Sequence, residues 1–322
     1  MNSLARRTWA FEPGWHYLNH GSYGACPRPV LAAQGRWRKA LEAQPVRFMD
    51  REAPPALRAA AAALGRFVGA RGEDVVFVDN ATAAANAVLR AQPWRTGDRV
   101  VLSSHVYPSV RNAAERLAAE RGFKVVVAKL PARVRSEEDV LEAYERALGP
   151  RTRLVVVEHI ASASALVFPA RALCRLARAA GARVFVDGAH APGQVDVDLA
   201  ALGADYWTGN AHKWLCAPKG CAVLWARRAV QDGLLPPVTS TTAGRGFTAE
   251  FDYAGTRDPS AYLAVTEALS FHRRLGGARL RARNRALAWE GGSLAARRHG
   301  LEVPSPRALY AAMVPMVLPA RL

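Results

Sequence analysis

The chain has 322 residues, 50% of them hydrophobic and 22% charged, enough apolar material for a buried core; a disordered chain and a small disulfide scaffold are both excluded. Its 44 basic and 27 acidic residues leave a net charge of +17, a surplus that first suggests a polyanionic partner. Composition argues otherwise: only Lys39, Lys124, Lys129, Lys213 and Lys219 are lysines, the remaining cations are arginines interleaved with alanine, and no aromatic interleaving accompanies the ten arginines of residues 271–322.

Nucleic acid is therefore not an expected partner. The four cysteines (Cys26, Cys174, Cys216, Cys221) have no CxxC spacing, so neither a disulfide framework nor a metal site is expected. Met1–Arg7 is followed by no apolar signal region, and no uninterrupted apolar run reaches the roughly 18 residues of a membrane span. These features predict a cytoplasmic protein with no membrane segment.

In chain order, short β-rich runs fall at Val75–Val78, Val100–Leu102, Lys124–Ala128, Leu154–Val157, Val184–Val186, Tyr206–Thr208 and Cys221–Leu224. Helical segments alternate with them at 55–68, 81–91, 108–121, 137–148 and 169–180, several closed by glycine. Alternation of this kind requires crossover connections, and so predicts an α/β fold: a three-layer αβα domain around a mostly parallel, seven-stranded sheet buried on both faces. The pattern changes after Gln231 to a loop rich in Pro and Thr, Leu235–Thr242, then helical segments at 259–274 and 277–299 and possible strands at Glu302–Val303 and Met313–Leu318. The expected division is an N-terminal segment, 1–25, packing with the small domain; a large domain, 26–235; and a linker with a partial α+β C-terminal domain, 236–322.

Ligands of open parallel sheets sit beyond the carboxyl ends of the strands, so the residues there come first. Asp79-Asn80-Ala81-Thr82 follows the first strand and opens a helix, which suits either an anion held by free N–H groups or an ordinary cap by Asn80 or Thr82. Asp187 ends the fifth strand, and a carboxylate there needs a cation: a protonated ring nitrogen of a cofactor or a neighbouring arginine. Lys213 follows the next strand in Asn210-Ala211-His212-Lys213-Trp214. It is either a surface loop lysine or an amine desolvated enough to form a Schiff base.

A Schiff-base lysine, an acid for a pyridinium nitrogen and a helix N-terminus for a phosphate are the parts a pyridoxal phosphate enzyme requires. Here the chain resembles the class V aminotransferases of fold type I, in their isopenicillin N epimerase-like branch. The resemblance runs from Tyr17-Leu18-Asn19-His20-Gly21-Ser22-Tyr23-Gly24 to Met313–Pro319 and is most specific at Asp187-Gly188-Ala189-His190 and Asn210–Leu215 with Pro218-Lys219-Gly220. It implies pyridoxal 5'-phosphate as cofactor and Lys213 as its Schiff-base lysine and proton shuttle. It further implies Asp187 on the ring nitrogen, His190 beside the ring and its phenolic oxygen, and Tyr107 stacked on the ring. Ala81, Thr82, Asn210 and His212 would contact the phosphate, Ser162 and Ser164 would lie beside the cofactor, and Thr256 would reach the phosphate across a homodimer interface.

The implied activity is cleavage of one bond to the α-carbon of a small amino-acid substrate, as a transaminase, epimerase or lyase. Two departures stand out. Ser162-Ala163-Ser164 replaces a Ser-Pro-Thr common in the branch, and the late arginine that holds the substrate carboxylate in related chains is absent. Either Arg47 or Arg257 replaces it, or the chain is a C-terminally truncated, catalytically weak or silent homologue.

Overall fold

The computed structural model describes residues 7–319. Seven strands, Val75–Val78 (β1), Arg99–Ser103 (β2), Lys124–Ala128 (β3), Thr152–Glu158 (β4), Arg183–Asp187 (β5), Tyr206–Asn210 (β6) and Ala222–Ala226 (β7), form one sheet in the order β1-β7-β6-β5-β4-β2-β3. β7 runs antiparallel to both its neighbours, and every other pairing is parallel. The α/β class, the strand count and the mostly parallel sheet are as the alternating pattern predicts. β1, β2, β4, β5 and β6 consequently end at the same edge.

The strands are near-continuous runs of Val, Leu and Phe because both faces are covered. Helices Ala81–Ala91 and Pro108–Arg121 place Ala84, Val88, Val110 and Leu117 in one apolar cluster. On the other face, Ala53–Phe67, Glu137–Ala147 and Ala170–Ala179 contribute Leu64, Val140 and Leu173 to a second.

Residues 28–52, where the sequence pattern predicts no element, fold as a helix Arg28–Ala43, a turn Pro45–Arg47 and a π-helical segment Phe48–Glu52 that runs into Ala53–Phe67. Only Val30 and Ala33 of the first helix are buried, so its apolar stripe is thin. It packs on the helices Ser260–Leu263 and Val265–Arg274, which divide the single helix expected at 259–274. After the helix Ala278–Arg298, the two expected strands are reduced to one antiparallel bridge, Glu302 with Val317.

The segment before Pro27 lies against the loop that carries Lys213. Gly24 has φ +68°, and a Cβ there would stand 1.9 Å from the His212 carbonyl oxygen and 2.8 Å from that of Lys213. Gly193 likewise has φ +84° and approaches the Trp214 backbone so closely that a Cβ would lie 2.6 Å away. The lysine loop is thus clamped between two backbones, with no room for a side chain on either.

Gly24→Ala is expected to destabilise the protein by ~2 kcal/mol or more, since the strained backbone and the clash add. Gly14→Ala serves as the control, because φ is +87° there but none of the described residues lies within 4 Å. Urea unfolding of both variants checks this; equal losses would show that the clamp adds nothing.

Candidate active site

The common strand edge opens into a cavity of about 380 Å³, whose lining combines residues from five strand ends. Of the residues singled out in the sequence, Ala81, Thr82, Tyr107, Ser162, Asp187, His190, Asn210, His212 and Lys213 all line it.

The phosphate-type end is built by capping. Asn80 Oδ1 accepts the Ala83 N–H at 2.9 Å, and Asn210 Oδ1 reaches across from β6 to accept the Ala81 N–H at 2.9 Å. The Ala84 N–H goes to the Asn80 carbonyl. Among the described residues, this leaves the N–H and hydroxyl of Thr82 as the free donors of the first turn, with Asn210 Nδ2 beside them. The Ala81 N–H is therefore engaged within the chain; the cap reading holds at Ala83, and the Thr82 N–H is the donor left for an anion.

His212 Nδ1 lies 2.9 Å from the Cys221 carbonyl, which can only accept, so the ring proton sits on Nδ1. Its Nε2 is the remaining polar atom. Burial holds the imidazole down to about 4 against that hydrogen bond, and the charges of Lys213 and Lys219 push the same way as burial.

At the other end, Lys213 Nζ is 3.0 Å from His190 Nε2. Burial lowers the ammonium's pKa while Asp187 opposes, and burial with the neighbouring Lys213 charge drives His190 down to about 3. A neutral imidazole thus faces an amine that loses its proton more readily than an ordinary lysine. His190 is tied in place by Gln194, whose Nε2 donates to the His190 carbonyl and whose Oε1 accepts the Ala312 N–H. Among the described residues, the buried His190 Nδ1 has no partner.

Asp187 is 6% exposed and accepts the Ala189 N–H at 3.0 Å. Burial raises its pKa against that hydrogen bond and the Lys213 charge. No arginine approaches it among the described residues, which removes one of the two partners expected for this acid. A buried carboxylate left with one backbone donor and a shared lysine fits a protonated ring nitrogen, as the cofactor named above would supply.

Two expectations, for Ser164 and for the candidate arginines, end differently. Ser164 does not line the cavity; its hydroxyl lies 2.9 Å from His105 Nδ1. Thr256, expected to act across a dimer interface rather than in its own cavity, is exposed, with its hydroxyl 3.4 Å from that of Tyr253. Neither candidate arginine lines the cavity: Arg47 pairs with Glu52 at 2.8 Å, and Arg257 pairs with Asp79 at 3.5 Å and lies over the Tyr262 ring.

Lys219 and Glu158 are among the lining residues that had no role assigned from the sequence. Lys219 is the second ammonium of the cavity. The Val78↔Ala222 register sets the residues before β7 beside those after β1, so Lys219 falls near the Thr82 turn. Glu158 ends the apolar strand β4 as Asp187 ends β5, which is the same signal.

Comparison with known proteins agrees with this geometry. The aminotransferase class-V family model matches residues 17–308. A probable chloroplastic L-cysteine desulfhydrase of Arabidopsis thaliana is 34% identical over 331 residues, covering 97% of this chain and 70% of that protein. The isopenicillin N epimerase of Amycolatopsis lactamdurans is 38% identical over 302 residues, covering 88% of this chain and 76% of the epimerase. An apo cysteine desulfurase from Thermococcus onnurineus NA1 shares the fold, with TM-score 0.82, 21% identity and coverage of 98% of this chain and 82% of that one. The chain belongs to the class V aminotransferase family, enzymes of the pyridoxal phosphate fold type I.

Proposed function

We propose that this chain uses pyridoxal phosphate to break a bond at the α-carbon of a small amino acid, with Lys213 as the group that binds the cofactor covalently and moves the α-proton. The 3.0 Å contact of the Lys213 amine with a neutral His190, beside the buried Asp187, carries the reading. A cofactor in this cavity would have its ring nitrogen on Asp187 and its phosphate toward the Thr82 N–H and hydroxyl, Asn210 Nδ2, His212 and Lys219. When bound, it supplies a ring that accepts electrons from the α-carbon.

The chain's own work is to hold and move protons. Burial gives Lys213 an accessible free-amine form, and His190 Nε2 fixes the amine's position while the imidazole stays uncharged. Asp187 keeps the opposite end of the site negative. Tyr107, 43% exposed and lining the cavity, would cover one ring face. Thr256 and the exposed Tyr23, which also lines the cavity, fit a homodimer in which a second copy completes the mouth.

The relatives' names, cysteine desulfhydrase and isopenicillin N epimerase, denote different outcomes. Both outcomes begin with loss of the α-proton. Deuterium uptake at the α-carbon from heavy water therefore tests the shared step, and sulfide release from L-cysteine against racemisation separates the outcomes. Exchange with some amino acid is expected, falling by about 10²–10⁴-fold in Lys213→Ala.

Borohydride should fix the cofactor onto Lys213 and remove a visible absorbance band; the same band in Lys213→Ala would overturn the assignment. Fixation without any exchange would favour the competing reading, a cofactor-binding but silent homologue.

His190 gives a separate electrostatic check. Its folded pKa is depressed from 6.5 to about 3, so its contribution to stability is complete above pH 6.5 and is lost as pH falls toward 3. Wild-type stability should fall on acidification with a slope of up to about 1.4 kcal/mol per pH unit from this group, and His190→Gln should remove that share. Urea titrations at neutral and acid pH measure it; an unchanged slope would mean that the imidazole titrates normally.

A further inference from the structure

A second acid lies beside Asp187. Glu158 pairs with Asp187 in the register of parallel β4 and β5, so the two side chains leave the sheet on one face, and both line the cavity. Glu158 is 2% exposed. Its Oε2 lies 2.9 Å from Ser103 Oγ and 3.1 Å from the Tyr144 hydroxyl, while Oε1 has no partner among the described residues.

Counting protons decides the charge. Ser103 Oγ accepts the His105 N–H at 3.0 Å, which leaves its own hydrogen for Glu158 Oε2. Tyr144 has one hydroxyl hydrogen, and its nearer neighbour is the Val156 carbonyl at 2.8 Å, an atom that can only accept. With that hydrogen spent, the contact between Tyr144 and Oε2 is a hydrogen bond only if Glu158 supplies the proton. An ionised Glu158 would set lone pairs against each other there and leave Oε1 bare beside a second carboxylate.

Asp187 is the better anion of the two. It faces Lys213 as well as accepting a backbone N–H, whereas Glu158 has the Ser103 hydroxyl and its own backbone but no cation. Two carboxylates sharing a buried site do not both ionise. We propose that Glu158 is a neutral carboxylic acid donating its proton to Tyr144, and that it forms with Asp187 a pair bearing one negative charge, held on Asp187.

Glu158 is then a positioning residue acting through Asp187: it keeps the charge on the acid that meets the cofactor's ring nitrogen. That role rests on the pyridoxal phosphate reading, but the proton does not. Burial pushes the Glu158 carboxyl up to about 7 against the hydrogen bonds of Ser103, its own backbone and Tyr144, and Asp187 adds to the rise. The ionisable groups facing it are Asp187 from β5, Tyr144 from the helix Glu137–Ala147 and, behind Ser103, His105.

Infrared difference spectra of wild type against Glu158→Gln test the proton, on protein with and without pyridoxal phosphate. At about pH 6 the wild type should show a carboxylic acid C=O band that the variant lacks, fading above about pH 7. Tyr144→Phe, which removes the acceptor, should move that band to higher frequency. No such band, or one unmoved by Tyr144→Phe, would overturn the assignment. Glu158→Gln keeps the neutral charge, so its affinity for pyridoxal phosphate should stay within about fivefold of wild type, less than the tenfold of one pKa unit; a larger loss would show that charge on Glu158 is needed. A wild type that bound no cofactor would defeat the functional reading instead, with the infrared band still deciding the proton.

Discussion

Burying a carboxylate at the end of β5 is the constraint on which the rest of the site depends. An ionised acid without water costs several kcal/mol unless charge or hydrogen bonds replace the hydration. Asp187 receives one backbone N–H and the partial company of Lys213, and no arginine among the described residues approaches it, although the chain has arginines in excess. The fold thus keeps a negative centre that its own cations do not neutralise. That incomplete compensation suits the proposed cofactor, whose ring nitrogen would bring a cation to the same place, and it also favours the proton on the adjacent Glu158.

The second requirement is that the lysine stay at the right distance from both acid and imidazole. Lys213 lies in a loop between β6 and β7, an element that would ordinarily be mobile. Here the loop is fixed by close backbone approaches at Gly24 and Gly193, by the Ala217 N–H to the Ala211 carbonyl, and by the His212 N–H to the Cys221 carbonyl. Rings from the N-terminal segment continue the support: His20 lies 5.7 Å from Trp214, and Trp9 meets both His20 and Phe271 of the helix Val265–Arg274. Distant parts of the chain therefore converge on one amine. Preorganisation of this kind leaves little reorganisation for the reaction step.

The sheet and the residues at its edge were legible because both rest on local pattern. Strands buried on both faces read as apolar runs, and Asp187, His190, Asn210 and Lys213 fall where those runs stop. The helix Arg28–Ala43 was not legible, since only Val30 and Ala33 are buried and the rest reads as a polar, alanine-rich stretch. Ser164 shows a different failure: sequence position set it beside Ser162, but His105, 59 residues earlier, holds its hydroxyl away from the cavity. Glu158 carried the same mark as Asp187. What sequence could not show was the Ser103 and Tyr144 pair that gives it a different protonation state, because those partners come from another strand and a crossover helix.

The cation chemistry ties the composition to the site. Arginines outnumber lysines heavily, and they serve where permanent charge is wanted: Arg58 on Asp252, Arg151 and Arg153 on Asp98, Arg227 on Asp205, Arg257 on Asp79. None of them lines the cavity, whereas two of the five lysines, Lys213 and Lys219, do. A guanidinium does not release its proton at any physiological pH, but an ammonium can once burial lowers its pKa. The proposed chemistry therefore requires a lysine at position 213, and an arginine there would add one more fixed charge to a site that, on this reading, works by moving one.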